Sequence, residues 1–247
     1  MRSLINTDNS KGSLLGVSFI VIGLLTLNPN VAVGQSARKA ETHFKAADAS
    51  KVATPDAHSD TETGFADWVI RERIVFISGE IKPELAETVI SQLLYLDHQS
   101  PGKDIYLYIN SPGGEVTAGL AIYDTIHSLQ SNVVTVGLGE ASSMASMLLA
   151  SGTKGKRVAL TSARVMIHQP WSGVEGPASD IAIEAKEILH NRSLLNHLLS
   201  ELTGQPLKRI EADTDRNLYM SAKEAKAYGI VDKVTNQIPS ASRPLKN

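Results

Sequence analysis

The sequence predicts an α/β protein, a sheet with helices packed on its faces. Short apolar runs of strand character alternate with amphipathic helical stretches. Three strand runs end in glycine-containing breaks that lead into helices. With 247 residues, 42 % of them hydrophobic, the chain can bury one large core or two small ones. Three strand–glycine–helix rounds in succession look like a spiral of repeated units, although no stretch repeats another closely.

Phe65 to Arg73 reads as a short helix with Phe65, Trp68 and Val69 on one side. Ile74 to Ser78 is an apolar run closed by Gly79, the mark of a buried strand. Pro83 stands near a helix start, and Leu85, Val89, Leu93, Leu94 and Leu96 recur at helical spacing. The turn Pro101-Gly102 leads into a strand over Asp104 to Asn110, which Ser111-Pro112-Gly113-Gly114 breaks, and Ala118 to Leu129 is helical. Val133 to Val136 is a third strand. It runs into Gly137-Leu138-Gly139-Glu140-Ala141-Ser142-Ser143, and a helix follows from Met144. Val158 to Leu160 and Arg164 to His168 are short strands. A Gly/Pro-rich loop precedes a long helix from Ser179-Asp180 to Leu202, whose apolar set is Ile181, Ile188, Leu195, Leu198, Leu199 and Leu202, and Gly204 stops it. Ser221 and Glu224 form a capping-box pattern at the start of a last helix. Gly229 to Val234 reads as a closing strand, and a polar tail follows Thr235.

The N-terminus does not read as fold. Arg2 and Lys11 precede an apolar run over residues 14–27, and Ala32-Val33-Gly34 supplies a small-residue site, the order of a bacterial secretory signal. The run is short for a bilayer span. The expected organisation is therefore a signal peptide or membrane anchor over 1–34, a polar tether over 35–64, one domain over 65–236 and a flexible tail over 237–247. Location is expected to be exported or periplasmic; the alternative is a cytoplasmic protein with a misassigned start codon.

Composition removes several function classes. A net charge of −2 provides no basic field for nucleic acid. The absence of cysteine excludes disulfides, thiol catalysis and cysteine-ligated zinc. The seven histidines show no H-E-x-x-H spacing, so neither a metal nor a cofactor is expected.

What remains points to acyl transfer. A serine on a small-residue turn between strand and helix stands where free N–H groups and the helix dipole favour developing negative charge. Ser143 is such a residue. Gly113-Gly114 lets a backbone N–H approach a ligand with no side chain in the way. If Ser143 attacks, the N–H groups of Gly114 and Met144 would form an oxyanion hole. His168, ending an apolar strand before Gln169-Pro170, is the candidate general base. For the orienting acid, the residues leave Asp213, Asp215 and Asp232 open.

Three blocks in order carry a resemblance: Ile105 to Gly114 (IYLYINSPGG), Gly139 to Ala145 (GEASSMA) and Arg164 to Pro170 (RVMIHQP). With Glu184 to Leu189 and Met220 to Asp232, they resemble the signature blocks of ClpP, the proteolytic subunit of the ATP-dependent Clp protease. The resemblance runs from about Ile70 to Val234. It implies a serine endopeptidase on a crotonase-like spiral of β-β-α units with a helical handle. It implies cleavage of unfolded proteins or peptides through an acyl-enzyme, inside two stacked seven-membered rings of identical subunits. It makes Ser143 the nucleophile, His168 the base, and Gly114 and Met144 the oxyanion donors. It makes Asp215 and Arg216 the ring–ring contact, and Tyr106 and Tyr108 part of the cleft that receives an AAA+ unfoldase.

Three departures stand out. The family's D-x-D-R-D run is Asp213-Thr214-Asp215-Arg216-Asn217 here, so Asn217 takes the third triad place, with Asp215 or Asp213 as fallback partners. An asparagine oxygen can hold the imidazole but cannot stabilise the imidazolium by charge; in a trypsin-type triad the Asp→Asn change costs roughly 10⁴ in kcat. Residues 50–70 match the family's axial gate poorly, and Ser128 stands at a usually aromatic cleft position. Asn217 favours a slow or conditionally active site, and it defines the alternative, a catalytically weak or silent ring subunit with an assembly or regulatory role. The gate and cleft departures weigh instead against docking of an unfoldase partner. A crotonase-type acyl-CoA enzyme is a third reading, against which the Ser–His pair argues.

Overall fold

The computed structural model describes residues 62–245. The signal or anchor and nearly all of the expected tether lie outside the described residues.

The described chain runs α1 (Glu62–Arg71), β1 (Ile74–Ser78), α2 (Pro83–Gln99), β2 (Ile105–Ser111), α3 (Val116–Ser128), β3 (Val133–Ser142) and α4 (Met144–Ala150). Then come β4 (Val158–Leu160), β5 (Arg164–Ile167), α5 (Ala178–Thr203), α6 (Leu207–Asp213), β6 (Leu218–Ser221), α7 (Ala222–Tyr228) and β7 (Lys233–Thr235). β1, β2, β3, β4 and β7 lie side by side in that order, all parallel. Parallel strands covered on both faces read as continuous apolar runs, and β2 is buried at every position except Asn110.

The large core lies between this sheet and its helices. Ile77, Leu107, Ile109, Val89, Leu93, Ile122, Leu148 and Leu149 meet there. α4 is buried along its whole length. A second, smaller cluster of Ile74, Tyr106, Tyr108, Val134 and Val136 is covered by Val69, Leu138 and Leu245.

Strand β3 forks. Its first half pairs with β4 at Val136 and Gly137, and its end pairs with β5 through Glu140, Ala141 and Ser142. A bulge allows this: against β2, Ile109 faces Gly137 but Ser111 faces Ala141. Gly139 sits inside the bulge at φ +57, where a Cβ would meet Asn110 Oδ1 at 2.8 Å. Glu140 N–H donates to that same oxygen. Extra residues in one strand bend it and re-aim its side chains, and here they carry β3 away from β4.

Several sequence expectations are corrected. α6 and β6, to which the sequence reading assigns nothing, carry no periodic signal in so few residues. The closing strand begins at Lys233 rather than Gly229, because Gly229 is the left-handed cap of α7. In α5 only the C-terminal half packs: Leu195, Leu199 and Leu202 are buried, while Ile181, Ile183 and Leu189 are exposed. Beyond Thr235 the chain turns back through Ser240 and Arg243, and Pro239 O accepts from Tyr108 Oη at 2.7 Å.

A buried ion pair ties the C-terminal elements to the core. Arg157 Nη2 and Nε reach the two Asp232 oxygens at 2.7 and 3.0 Å, and Nη1 donates to Leu202 O at 2.8 Å. Burial alone would raise the Asp232 carboxyl, but the Arg157 hydrogen bonds and charge prevail and hold it below the usual range. Removing one partner of such a pair costs about 3–5 kcal/mol. Arg157→Ala should therefore lower the urea midpoint sharply at neutral pH. A carboxylate with a depressed folded-state pKa lends its stability above the unfolded value and loses it on acidification. The deficit of the variant should accordingly shrink as pH falls through the carboxylate range.

Candidate active site

The register of three strands assembles the site. β3 pairs with β5 so that Ser142 lies opposite Met166, and β5 pairs with β6 so that Ile167 lies opposite Leu218. One residue beyond each pairing stand Ser143, His168 and Asn217. Ser143 N–H donates to Met166 O at 2.8 Å, which fixes the end of β3 against β5.

Ser143 sits at φ 56, ψ −126, a conformation rare for a residue with a side chain. Such strain persists only where the surroundings over-determine it. Its carbonyl begins helix α4, accepting from Ser146 N, Met147 N and Ser146 Oγ. The turn thus lifts Oγ off the sheet towards β5. His168 Nε2 lies 2.9 Å from Ser143 Oγ, and His168 Nδ1 lies 3.0 Å from Asn217 Oδ1. Ser143 and His168 are half-buried and Asn217 is exposed.

The glycine pair abuts this turn. Ile81 bonds Gly113 O and Glu115 N, so the N–H of Gly114 takes no part in that bridge. A Cβ on Gly114 would run into the Ile81 backbone. A Cβ on Gly113 would lie 2.7 Å from Ser143 Cβ and 3.1 Å from Met144 N. Gly113 is therefore the residue whose missing side chain keeps the space above Met144 N–H clear, a role the sequence pattern did not single out. Met144 N–H is a first-turn donor of α4, one of those that helices leave unpaired. A recess beside Ser143 and His168 is lined by Val116, Met144, Met147, Ile167, Leu195 and Leu199, with the polar Ser146 and Asn196 among them. A separate cavity near the C-terminal tail, lined by Lys226, Lys233 and Arg243, shares no residue with it.

The acids left open by the residues are engaged elsewhere. Asp213 Oδ2 accepts from Tyr228 Oη at 2.9 Å and pairs with Arg209. Asp215 accepts from Gln169 Nε2 through its backbone oxygen at 2.7 Å and lies 3.6 Å from Arg192. Asp232 belongs to Arg157. None of the three is bonded to His168.

Asp215 and Arg216 lie on the exposed turn after α6, with the Arg216 side chain 88 % exposed. The expected cleft tyrosines stand on β2. Tyr106 and Tyr108 are 3 % and 6 % exposed, inside the second apolar cluster, because the C-terminal tail folds over that face. Burial, then the charges of Glu72 and Tyr106, pushes the Tyr108 phenol up to about 12. Among the described residues no group of three His, Asp or Glu side chains is placed to hold a metal, and no helix is long and apolar enough to cross a membrane.

The family model for Clp protease matches residues 57–238. The chain belongs to the Clp protease family. It is 54 % identical over 168 residues to the ATP-dependent Clp protease proteolytic subunit 1 of Gloeobacter violaceus, covering 68 % of this chain and 85 % of that relative. Membership makes this chain a serine endopeptidase with the α/β spiral of the family; a silent scaffold is not favoured.

The departure at Asn217 is testable within this family member. Asn217 Oδ1 must accept from Nδ1–H for Nε2 to remain free as a base; a turned amide would hold the opposite tautomer. Asn217→Asp removes that choice and adds a charge that favours the imidazolium. Peptide-hydrolysis kinetics should show kcat raised at least about tenfold in Asn217→Asp and lowered in Asn217→Ala, given the roughly 10⁴ at stake in a trypsin-type triad. The acidic limb of the Asn217→Asp profile should move to higher pH.

Proposed function

We propose that this chain cleaves unfolded polypeptides through an acyl-enzyme on Ser143, within stacked seven-membered rings of identical subunits. The observation that carries this is the relay from Ser143 Oγ through His168 to Asn217, at 2.9 and 3.0 Å. His168 Nε2 takes the hydroxyl proton as Oγ adds to the scissile carbonyl carbon. The N–H groups of Gly114 and Met144 hold the oxyanion. His168 then gives the proton to the leaving amine as the C–N bond breaks. Water, deprotonated by the same nitrogen, releases the acyl group and restores Ser143. Asn217 keeps Nδ1 protonated throughout.

Assembly is supported by the exposed apolar side chains of α5 and by Trp171, which is 81 % exposed. Monomers seldom leave such residues clustered in water. The exposed Arg216, with Asp215 beside it, is the proposed contact between rings. An AAA+ unfoldase partner is proposed because the Gloeobacter relative is named as a subunit of an ATP-dependent protease. Export is proposed from the N-terminal apolar run and its small-residue site.

Casein hydrolysis by the purified natural protein, with Ser143→Ala as control, tests the activity. Native mass and N-terminal sequencing of the same preparation test assembly and export. Expected are casein cleavage lost in Ser143→Ala, particles of two seven-membered rings, and a mature start at Gln35. Equal cleavage by the variant would reject the nucleophile, a monomer would reject the rings, and a cytosolic protein starting near residues 50–60 would reject export.

A further inference from the structure

The cavity at the C-terminal tail stands apart from the acyl-transfer site and has a chemistry of its own. Three cations line it: Lys226 from the last turn of α7, Lys233 from β7 and Arg243 from the tail. Among the described residues no Asp or Glu lines it. A chain of net charge −2 thus gathers three positive charges around one hollow with no acid in its walls. Like charges that share a recess raise a potential there, and low-dielectric walls focus it. Lys226 and Arg243 are exposed and enter none of the ion pairs among the described residues.

The remaining wall is partly apolar. Val234, Pro239 and Leu245 contribute to it, and the stems of the long cationic side chains add apolar surface below their charges. The volume is about 280 Å³, just below the roughly 300–1,000 Å³ usual for drug-sized ligands. The hollow is also a gap between two parts of the chain. The tail turns on itself, Ser240 and Arg243 exchanging backbone hydrogen bonds at 2.9 and 3.0 Å. It is tied to the body through Pro239 O, which accepts from Tyr108 Oη at 2.7 Å, and through Ser242 N–H, which donates to Glu72 at 2.9 Å. None of these bonds joins the tail to α7 or β7, which form the opposite wall.

We propose that this cavity binds a small organic anion, a carboxylate on an apolar body of a few carbons, and that the bound anion clamps the tail against α7 and β7. A guanidinium can take both oxygens of a carboxylate at once, which suits Arg243. Lys226 and Lys233 then meet the same charge from the opposite wall, and the apolar body lies against Val234 and Leu245. Inorganic phosphate would satisfy the cations and leave the apolar wall in water. A short fatty acid and the C-terminal residue of a cleaved peptide both offer the required chemistry, and the two carboxylate probes below distinguish them.

Titration calorimetry on the full-length purified protein tests it. Hexanoate and N-acetylleucine are the carboxylates; hexan-1-ol lacks the charge and inorganic phosphate lacks the apolar body. At least one carboxylate should bind once per chain with a Kd below about 1 mM, at least about tenfold tighter than either control. The tighter of the two names the source. The double variant Lys226→Gln/Arg243→Gln, changed only at exposed positions, should weaken that carboxylate at least about tenfold while its ligand-free melting midpoint stays put. Amide exchange at Ser240 and Arg243, whose mutual bonds make the tail turn, should slow when the site is saturated. Failure of both carboxylates to bind overturns the proposal, and so does phosphate or hexan-1-ol binding as tightly as they do. These wild-type comparisons decide the matter even if the double variant does not fold. Affinity unmoved in a folded double variant overturns the site, and unchanged exchange at saturation overturns the clamp.

Discussion

The departure of β3 from β4 to pair with β5 is the constraint on which the site depends. Two-residue pairing with β4, a bulge at Gly139, and three-residue pairing with β5 bring the end of β3 beside the end of β5. β6 then joins β5 antiparallel, and the register that sets Ile167 opposite Leu218 sets His168 opposite Asn217. A one-residue slip in either pairing would turn every side chain of the slipped strand to the other face. The Ser143–His168–Asn217 relay is in this sense a property of the sheet.

The strain at Ser143 has its supports in the same elements. Its φ of 56 is held from below by α4, whose seven residues are all buried, and from the side by Met166 O. Gly113 closes the arrangement, because any larger residue would press on Ser143 Cβ and Met144 N. The turn is held in place where the chemistry needs fixed donors. A preorganised site of this kind needs little rearrangement as charge develops on the carbonyl oxygen.

Much of this was legible in the sequence. Glycine punctuation after apolar runs marked the parallel strands, and Ser143, His168 and the glycine pair stood at their ends. The third member was not legible from residue type: aspartates drew attention, but Asp213, Asp215 and Asp232 all have other partners. Asn217 follows from the β5–β6 register, and β6 is too short to show a period. The family resemblance supplied it by position instead. That Pro239 accepts from Tyr108 was not legible, because a polar C-terminal tail gives no sign that it folds back onto β2. Ile181 misled because helical spacing records an apolar face without saying whether this chain covers it.

The central claim is convergence: one hydroxyl activated by one imidazole. Labelling with a fluorophosphonate, followed by peptide mapping and a rate measurement in the wild type and His168→Ala, tests it most directly. The account predicts one label per chain, on the peptide containing Ser143, with the rate falling on acidification and collapsing in His168→Ala. A label on another serine, or an unchanged rate without the imidazole, would contradict it.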